Sequence, residues 1–145
     1  MGTTDYSVWI EASPEDVWGF YVDPMRIPEW QTGSPVIEDV HGSPDQAGAS
    51  YVSRRRPGAA RTTVMEVDKP RHLVTTTEAY FGLRFDVTSS LMPQSGGTLL
   101  ALRTDTHWPR GLGLLGKLVE AVILSPREGQ KELAQLKRLI ESSSC

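Results

Sequence analysis

A chain of 145 residues is the size of one ordinary domain, large enough to bury a core and too small for two independent ones, so a single domain over 1–145 is expected. Apolar residues at 39% and charged residues at 23% mark globular rather than disordered composition, and a net charge of −3 offers no general attraction for nucleic acid or anionic lipid. No run is apolar enough for stable membrane insertion and MGTTDYSVW has neither a basic nor an apolar leader region, so the expected location is the cytoplasm.

The one cysteine, Cys145, excludes an internal disulfide and is followed by no prenylation box; Tyr6 stands where a myristoylation motif needs Ser or Thr.

The first predicted element is a strand over Thr4 to Glu11, in which Tyr6, Val8 and Ile10 alternate with Asp5, Ser7 and Trp9. A helix start follows, with Ser13 as N-cap, Pro14 at N1, and Glu15 and Asp16 in the first turn. Val17, Phe20 and Tyr21 share one face of this helix, with Trp18 and Val22 on its flank. Asp23-Pro24 ends it, because a residue before proline is pushed out of the α region, and MRIPEW allows another turn or two before Pro28 interferes.

From Pro35 the texture becomes β-branched. VIEDV, SYVSRR, RTTVMEV, HLVTTTEAYF, RFDVTSSLM and TLLALRTDTHW are separated by turn-forming stretches with no helix between them, which predicts an antiparallel meander. Beyond Trp108 the pattern turns helical: Leu112, Leu115, Val119 and Val122, then Leu133, Leu136 and Ile140. Ser125, Pro126 and Glu128 form a capping-box pattern between the two runs, so this helix is kinked or broken at Pro126.

GLGLLGKL, Gly111 to Leu118, matches a dinucleotide fingerprint and nearly matches a phosphate loop. Both readings founder on context, since no strand follows the helix and Leu118 stands where a magnesium-binding hydroxyl is required. Arg54, Arg55 and Arg56 leave a strand on alternating sides and form no single patch, although one arginine facing an apolar cavity would anchor an acidic ligand. His41, His72 and His107 lack metal-site spacing, and if Leu100, Leu102, Thr104 and Thr106 face inward, Arg103, Asp105 and His107 form an outer stripe. There is no nucleophile elbow, and asparagine is absent. No cofactor and no metal are expected.

The strand, ASPEDVWGFYVDPMRIPEW, the meander containing VMEVDKPRHLV, then GGTLLALRTDTHWP and a glycine-led terminal helix together resemble the START-like or Bet v 1-like (SRPBCC) superfamily, and within it the bacterial polyketide cyclase/dehydrase and lipid-transport proteins. The resemblance covers roughly Tyr6 to Ile140. It implies an α+β helix-grip fold, a curved antiparallel sheet of about seven strands around a long C-terminal helix, with two short helices after strand 1. It also implies a cavity between sheet and last helix, with Trp30 closing the sheet's end and Trp108 to Gly116 acting as a gate.

The expected function is then binding or transport of a small hydrophobic ligand, a lipid, isoprenoid or polyketide-like compound, without chemistry. Tyr21, Trp30, Tyr51, Phe85, Leu102, Trp108, Leu115, Leu118 and Val122 are the expected lining, with Arg54 and Arg61 as polar anchors. An alternative is a polyketide cyclase/dehydrase (aromatase)-type enzyme, which needs an acid or base facing inward among Arg54, Arg61, Asp86 and His107. A third is a protein-interaction module of co-chaperone or toxin type. A homodimer is left open, and the ligand's identity is not legible.

Overall fold

The computed structural model describes residues 2–55, 58–79, 82–107 and 126–143. Seven strands form one antiparallel curved sheet: β1 (Gly2–Ile10), β2 (Val36–His41), β3 (Ser50–Arg55), β4 (Gly58–Asp68), β5 (His72–Glu78), β6 (Arg84–Gln94) and β7 (Gly97–His107). Between β1 and β2 lie α1 (Pro14–Tyr21), a 3₁₀ turn (Pro24–Arg26) and α2 (Ile27–Trp30); α3 (Pro126–Ser143) is the C-terminal helix. The strand order is β1-β7-β6-β5-β4-β3-β2. This is the expected α+β helix-grip architecture.

The order explains the opening of the chain. β1 and β2, neighbours in sequence, are the two opposite edges of the sheet, so the short helices must carry the chain from one edge to the other. Local chemistry writes that crossing: Ser13 Oγ accepts from the Asp16 amide at 3.2 Å, Pro14 opens α1, and Asp23 Oδ1 accepts from the Met25 amide at 3.0 Å to start the 3₁₀ turn. Pro28 does not interfere with the next turn; it lies in the first turn of α2, where a missing amide proton costs nothing. Trp18, expected on the flank of α1, is 1% exposed and belongs to the core.

The remaining strands follow one another as a meander. A two-residue hairpin joins β6 to β7, where Gln94 pairs with Gly97 across Ser95 and Gly96 alone. Both loop residues have positive φ, 51° and 79°, as a two-residue hairpin loop with the sheet's twist requires.

The core gathers where α1 and α3 meet one end of the sheet, around Ile10, Val17, Trp18, Leu91, Leu100, Leu133, Leu136 and Ile140. The expected helical spacing of Leu133, Leu136 and Ile140 places them on its buried face. α3 also covers the β1 edge. The Gln130 side-chain amide both accepts from the Ser7 amide and donates to the Ser7 carbonyl, each at 3.2 Å. Lys137 donates to the Trp9 carbonyl at 2.7 Å, and Glu141 accepts from the Glu11 amide at 2.8 Å. Edge groups that would otherwise invite another strand are thus taken. Whether α3 continues before Pro126 lies outside the described residues, as does the GLGLLGKL segment. No described helix is long and apolar enough to cross a membrane.

Candidate ligand-binding site

Side chains of adjacent strands that are paired in register share a face of the sheet. Tyr6, Val8 and Ile10 pack with the core under α3, and a Cβ added at Gly129 of α3 would run into the Tyr6 ring, so the even residues of β1 define the concave face. The register carries this parity across the sheet in rows.

Nearest the core, Val8, Leu100 and Leu91 form an apolar row. Tyr6, Leu102, Ser89, Leu73 and Val67 form the next. Thr4, Thr104, Val87, Thr75 and Val64 follow. The last row along the strands holds Thr106, Phe85, Thr77, Thr62 and Tyr51, of which Tyr51 packs against the core cluster. The face therefore grades from hydrocarbon to hydroxyl along the strands.

Tyr21 reaches this face from the end of α1. Its hydroxyl lies 2.7 Å from Ser89 Oγ, and its ring centroid is 5.9 Å from that of Trp30, tilted by 32°. Burial holds the Tyr21 phenol far above its ordinary pKa, with Ser89 offsetting part of the shift. Burial also raises Tyr51, and the Thr62 hydroxyl beside it opposes this. Thr62 in turn lies 2.8 Å from the Thr77 hydroxyl. Trp30 is buried, and its indole N–H has no hydrogen-bond partner among the described residues.

Of the expected lining, Tyr21, Tyr51, Phe85 and Leu102 are partly buried on or against the concave face, and Trp30 packs beside Tyr21. Trp108, Leu115, Leu118 and Val122 lie outside the described residues, as does the Trp108 to Gly116 gate. The sequence reading left Ser89, Thr62, Thr75, Thr77 and Val87 out of the lining. Alternation in HLVTTTE and RFDVTSS carries them, but which parity faces inward is set by pairing with distant strands.

The charged candidates stand elsewhere. Arg54 pairs with Val36 on the outer face, is exposed, and donates to Glu38 Oε1, with Nη2 at 2.6 Å. Arg61, next to inward Thr62, is exposed, with Nη1 3.5 Å from Ser50 Oγ. Neither side chain enters the concave space, because strand parity turns both outward. Asp86 and His107 are also outward: Asp86 Oδ2 accepts from Arg84 Nη2 and meets His107 Nε2, both at 3.0 Å, while Oδ1 accepts from Thr76 at 2.9 Å. Partial burial opposes ionisation of Asp86, but Arg84, Thr76 and His107 outweigh it and hold the carboxyl below its ordinary range.

Among the described residues, the concave rows carry no Asp, Glu, Lys, Arg or His. Their chemistry is that of neutral hydroxyls and apolar surface. A phenol whose pKa is raised donates a hydrogen bond at neutral pH and cannot serve as a base there. No group of three or more described His, Cys, Asp or Glu residues is placed to hold a metal. A half-open depression of about 270 Å³ at the β5–β6 turn, lined by Glu78, Ala79, Gly82, Leu83 and Arg84, includes outward residues and is separate from the concave rows.

A sequence profile of the family described as polyketide cyclase/dehydrase and lipid transport matches residues 1–141. No curated protein matches the chain. Among solved structures, it is similar to a protein from Bacillus halodurans, with TM-score 0.74, 18% identity, and 97% of this chain and 98% of that chain covered. A Chromobacterium violaceum protein matches with TM-score 0.70, 19% identity and coverage of 97% and 99%. A point mutant of norcoclaurine synthase from Thalictrum flavum, in complex with a transition-state analogue, matches with TM-score 0.68, 14% identity and coverage of 99% and 96%. At these identities the likeness is one of fold.

Proposed function

The chain belongs to the polyketide cyclase/dehydrase and lipid-transport family, and from that membership we propose that it binds one small hydrophobic molecule between the concave face of its sheet and the C-terminal helix. The observation that carries this reading is the division of the sheet by parity. Phe85, Val87 and Leu102 are partly buried on the concave face, and the charged candidates Arg54, Arg61, Asp86 and His107 all leave by the other. Partly buried apolar surface beside a few neutral polar groups is the usual character of a small-molecule site.

The same division favours carriage over catalysis. A cyclase or dehydrase step needs an acid or base at the reacting carbon, and the four groups considered for that role are turned away from the space. The complex of norcoclaurine synthase with a transition-state analogue illustrates that this fold accommodates a small organic molecule. It lends the chain no activity.

The test is native mass spectrometry of the purified protein, followed by extraction and identification of what co-purifies. A stoichiometric apolar molecule, lost on Leu102→Arg in a variant that still melts cooperatively, is the expected result. A protein that is empty, and whose melting temperature is unmoved by lipid, isoprenoid and polyketide panels, would overturn the reading.

A further inference from the structure

The hydroxyls of the concave face are not scattered. The Val8–Leu100–Leu91 row has none, the Tyr6–Leu102–Ser89–Leu73–Val67 row has two, the Thr4–Thr104–Val87–Thr75–Val64 row has three, and the row Thr106–Phe85–Thr77–Thr62–Tyr51 has four. A sheet that needed only to be filled would place valine or isoleucine at such inward sites, since these match threonine in β propensity without a polar atom to desolvate.

The hydroxyls also occur as mutual pairs. Tyr21 with Ser89 stands at the core end, and Thr62 with Thr77, beside Tyr51, at the far end. A paired hydroxyl is satisfied when the space is empty, yet keeps a lone pair or a rotatable proton for a guest. From the Ser89 position to the Thr77 position the strands run four residues, a span of roughly 13 Å at the rise per residue of a strand.

Deepening the ligand-binding reading proposed above, and resting on it, we infer that this wall selects an uncharged, oxygen-bearing amphiphile and orients it. The guest's hydroxyl or carbonyl oxygens lie at the Thr62–Thr77–Tyr51 end and its hydrocarbon on Val87 and Leu102. An ionised carboxylate is disfavoured, because the described side chains of these rows offer it no cation, and Arg54 and Arg61 point out of the opposite face. A bare hydrocarbon is disfavoured less strongly, since it buries hydroxyls without completing their remaining bonds.

The experiment compares three matched probes by calorimetric titration of the full chain at neutral pH: 4-hexylresorcinol, hexylbenzene and 4-hexylbenzoate. Expected is binding of the resorcinol roughly tenfold tighter than hexylbenzene, the effect of one or two net hydrogen bonds, with the benzoate weakest. The double variant Thr62→Val with Thr77→Val removes both partners of one pair, keeps their volume and leaves neither orphaned. It should reduce the resorcinol preference to within about threefold, with hexylbenzene binding at least as tightly as to the native chain and the melting transition confirming the fold.

Tightest binding by the benzoate, or a preference unmoved by the double variant, would overturn the inference, and so would binding by none of the three. An apolar carboxylate co-purifying in native mass spectrometry would also overturn it while leaving the ligand-binding reading intact. An empty protein there would remove both.

Discussion

The phenol oxygen of Tyr21 lies 2.7 Å from the hydroxyl of Ser89, tying the last turn of the first helix to the middle of a strand 68 residues away. Ser89 is 1% exposed, so its oxygen has little recourse to water if the phenol is removed. Tyr21→Phe should therefore destabilise the protein by about 1–2 kcal/mol, chiefly through the unpaired serine. Adding Ser89→Ala should cost less than the sum of the two single changes. Urea unfolding of the four proteins of this cycle gives the coupling, and strict additivity would show that the bond contributes nothing.

The same phenol predicts an alkaline weakness. Its folded-state pKa is raised, so the fold favours the protonated form and stability is intact below the unfolded value near 10.0. Above that value the unfolded chain ionises while the folded phenol resists, and stability falls as pH rises. Tyr51, raised for the same reason, adds to the slope. Melting temperatures of the native chain should drop between pH 9.5 and 11 more steeply than those of Tyr21→Phe; parallel curves would contradict the assignment.

Asp86 predicts the opposite limb. Its folded pKa is held below the ordinary 3.8, so its contribution is present above that value and disappears as pH falls through the folded pKa. Asp86→Asn should lower stability at pH 6 and flatten the acid limb below about pH 4. Chemical unfolding at both pH values checks this, and an Asn variant with an unchanged acid slope would show the cluster to be inert. The carboxylate joins Thr76, Arg84 and His107, so the loss reaches three strands at the rim of the sheet.

Much of this architecture was written locally. Alternation in β1, the Ser13 cap, the Asp23-Pro24 stop and the Ser95-Gly96 loop each act over a few residues, and each is found where its chemistry puts it. Facing direction was legible only where one parity was plainly apolar, as with Leu100 and Leu102. In Ser50–Arg55 and Gly58–Asp68 both parities carry polar residues, and only the register with β2 and β5 decides that Arg54 and Arg61 leave and Thr62 enters. The register shift between Val64 and Glu66 adds a change of phase along β4 that no composition signals. The hydroxyl pairs were invisible for the same reason, each joining residues 15 or more positions apart.

Gly129 shows a close approach whose cost can be measured. An alanine within a helix would normally gain about 1 kcal/mol over glycine. Here its Cβ would fall onto the Tyr6 ring, so α3 would have to lift from β1 and loosen the Gln130 grip on Ser7. Gly129→Ala should lose about 1–3 kcal/mol net, the usual cost of overpacking, and Tyr6→Val in the same chain should recover part of it. A thermal melt suffices, and a stabilised Gly129→Ala would mean that the helix has room to spare.

The outward arginines provide the control that separates this reading of the site from one based on charge. Arg54 meets Glu38 on the exposed face, and a surface pair of this kind contributes about 0–1 kcal/mol, so Arg54→Ala with Arg61→Ala should leave the fold almost untouched. If the ligand space is the concave face, the double variant should also hold whatever ligand co-purifies with the native chain at the same occupancy. Phe85→Arg reverses the geometry by setting a cation among Thr106, Thr77 and Val87, where desolvation of the guanidinium must be overcome before any apolar guest can enter. It should empty the protein in native mass spectrometry while the double-alanine variant remains loaded. Loss of ligand from the double-alanine variant, with Phe85→Arg still loaded, would move the site to the convex face and reverse the assignment of the two surfaces.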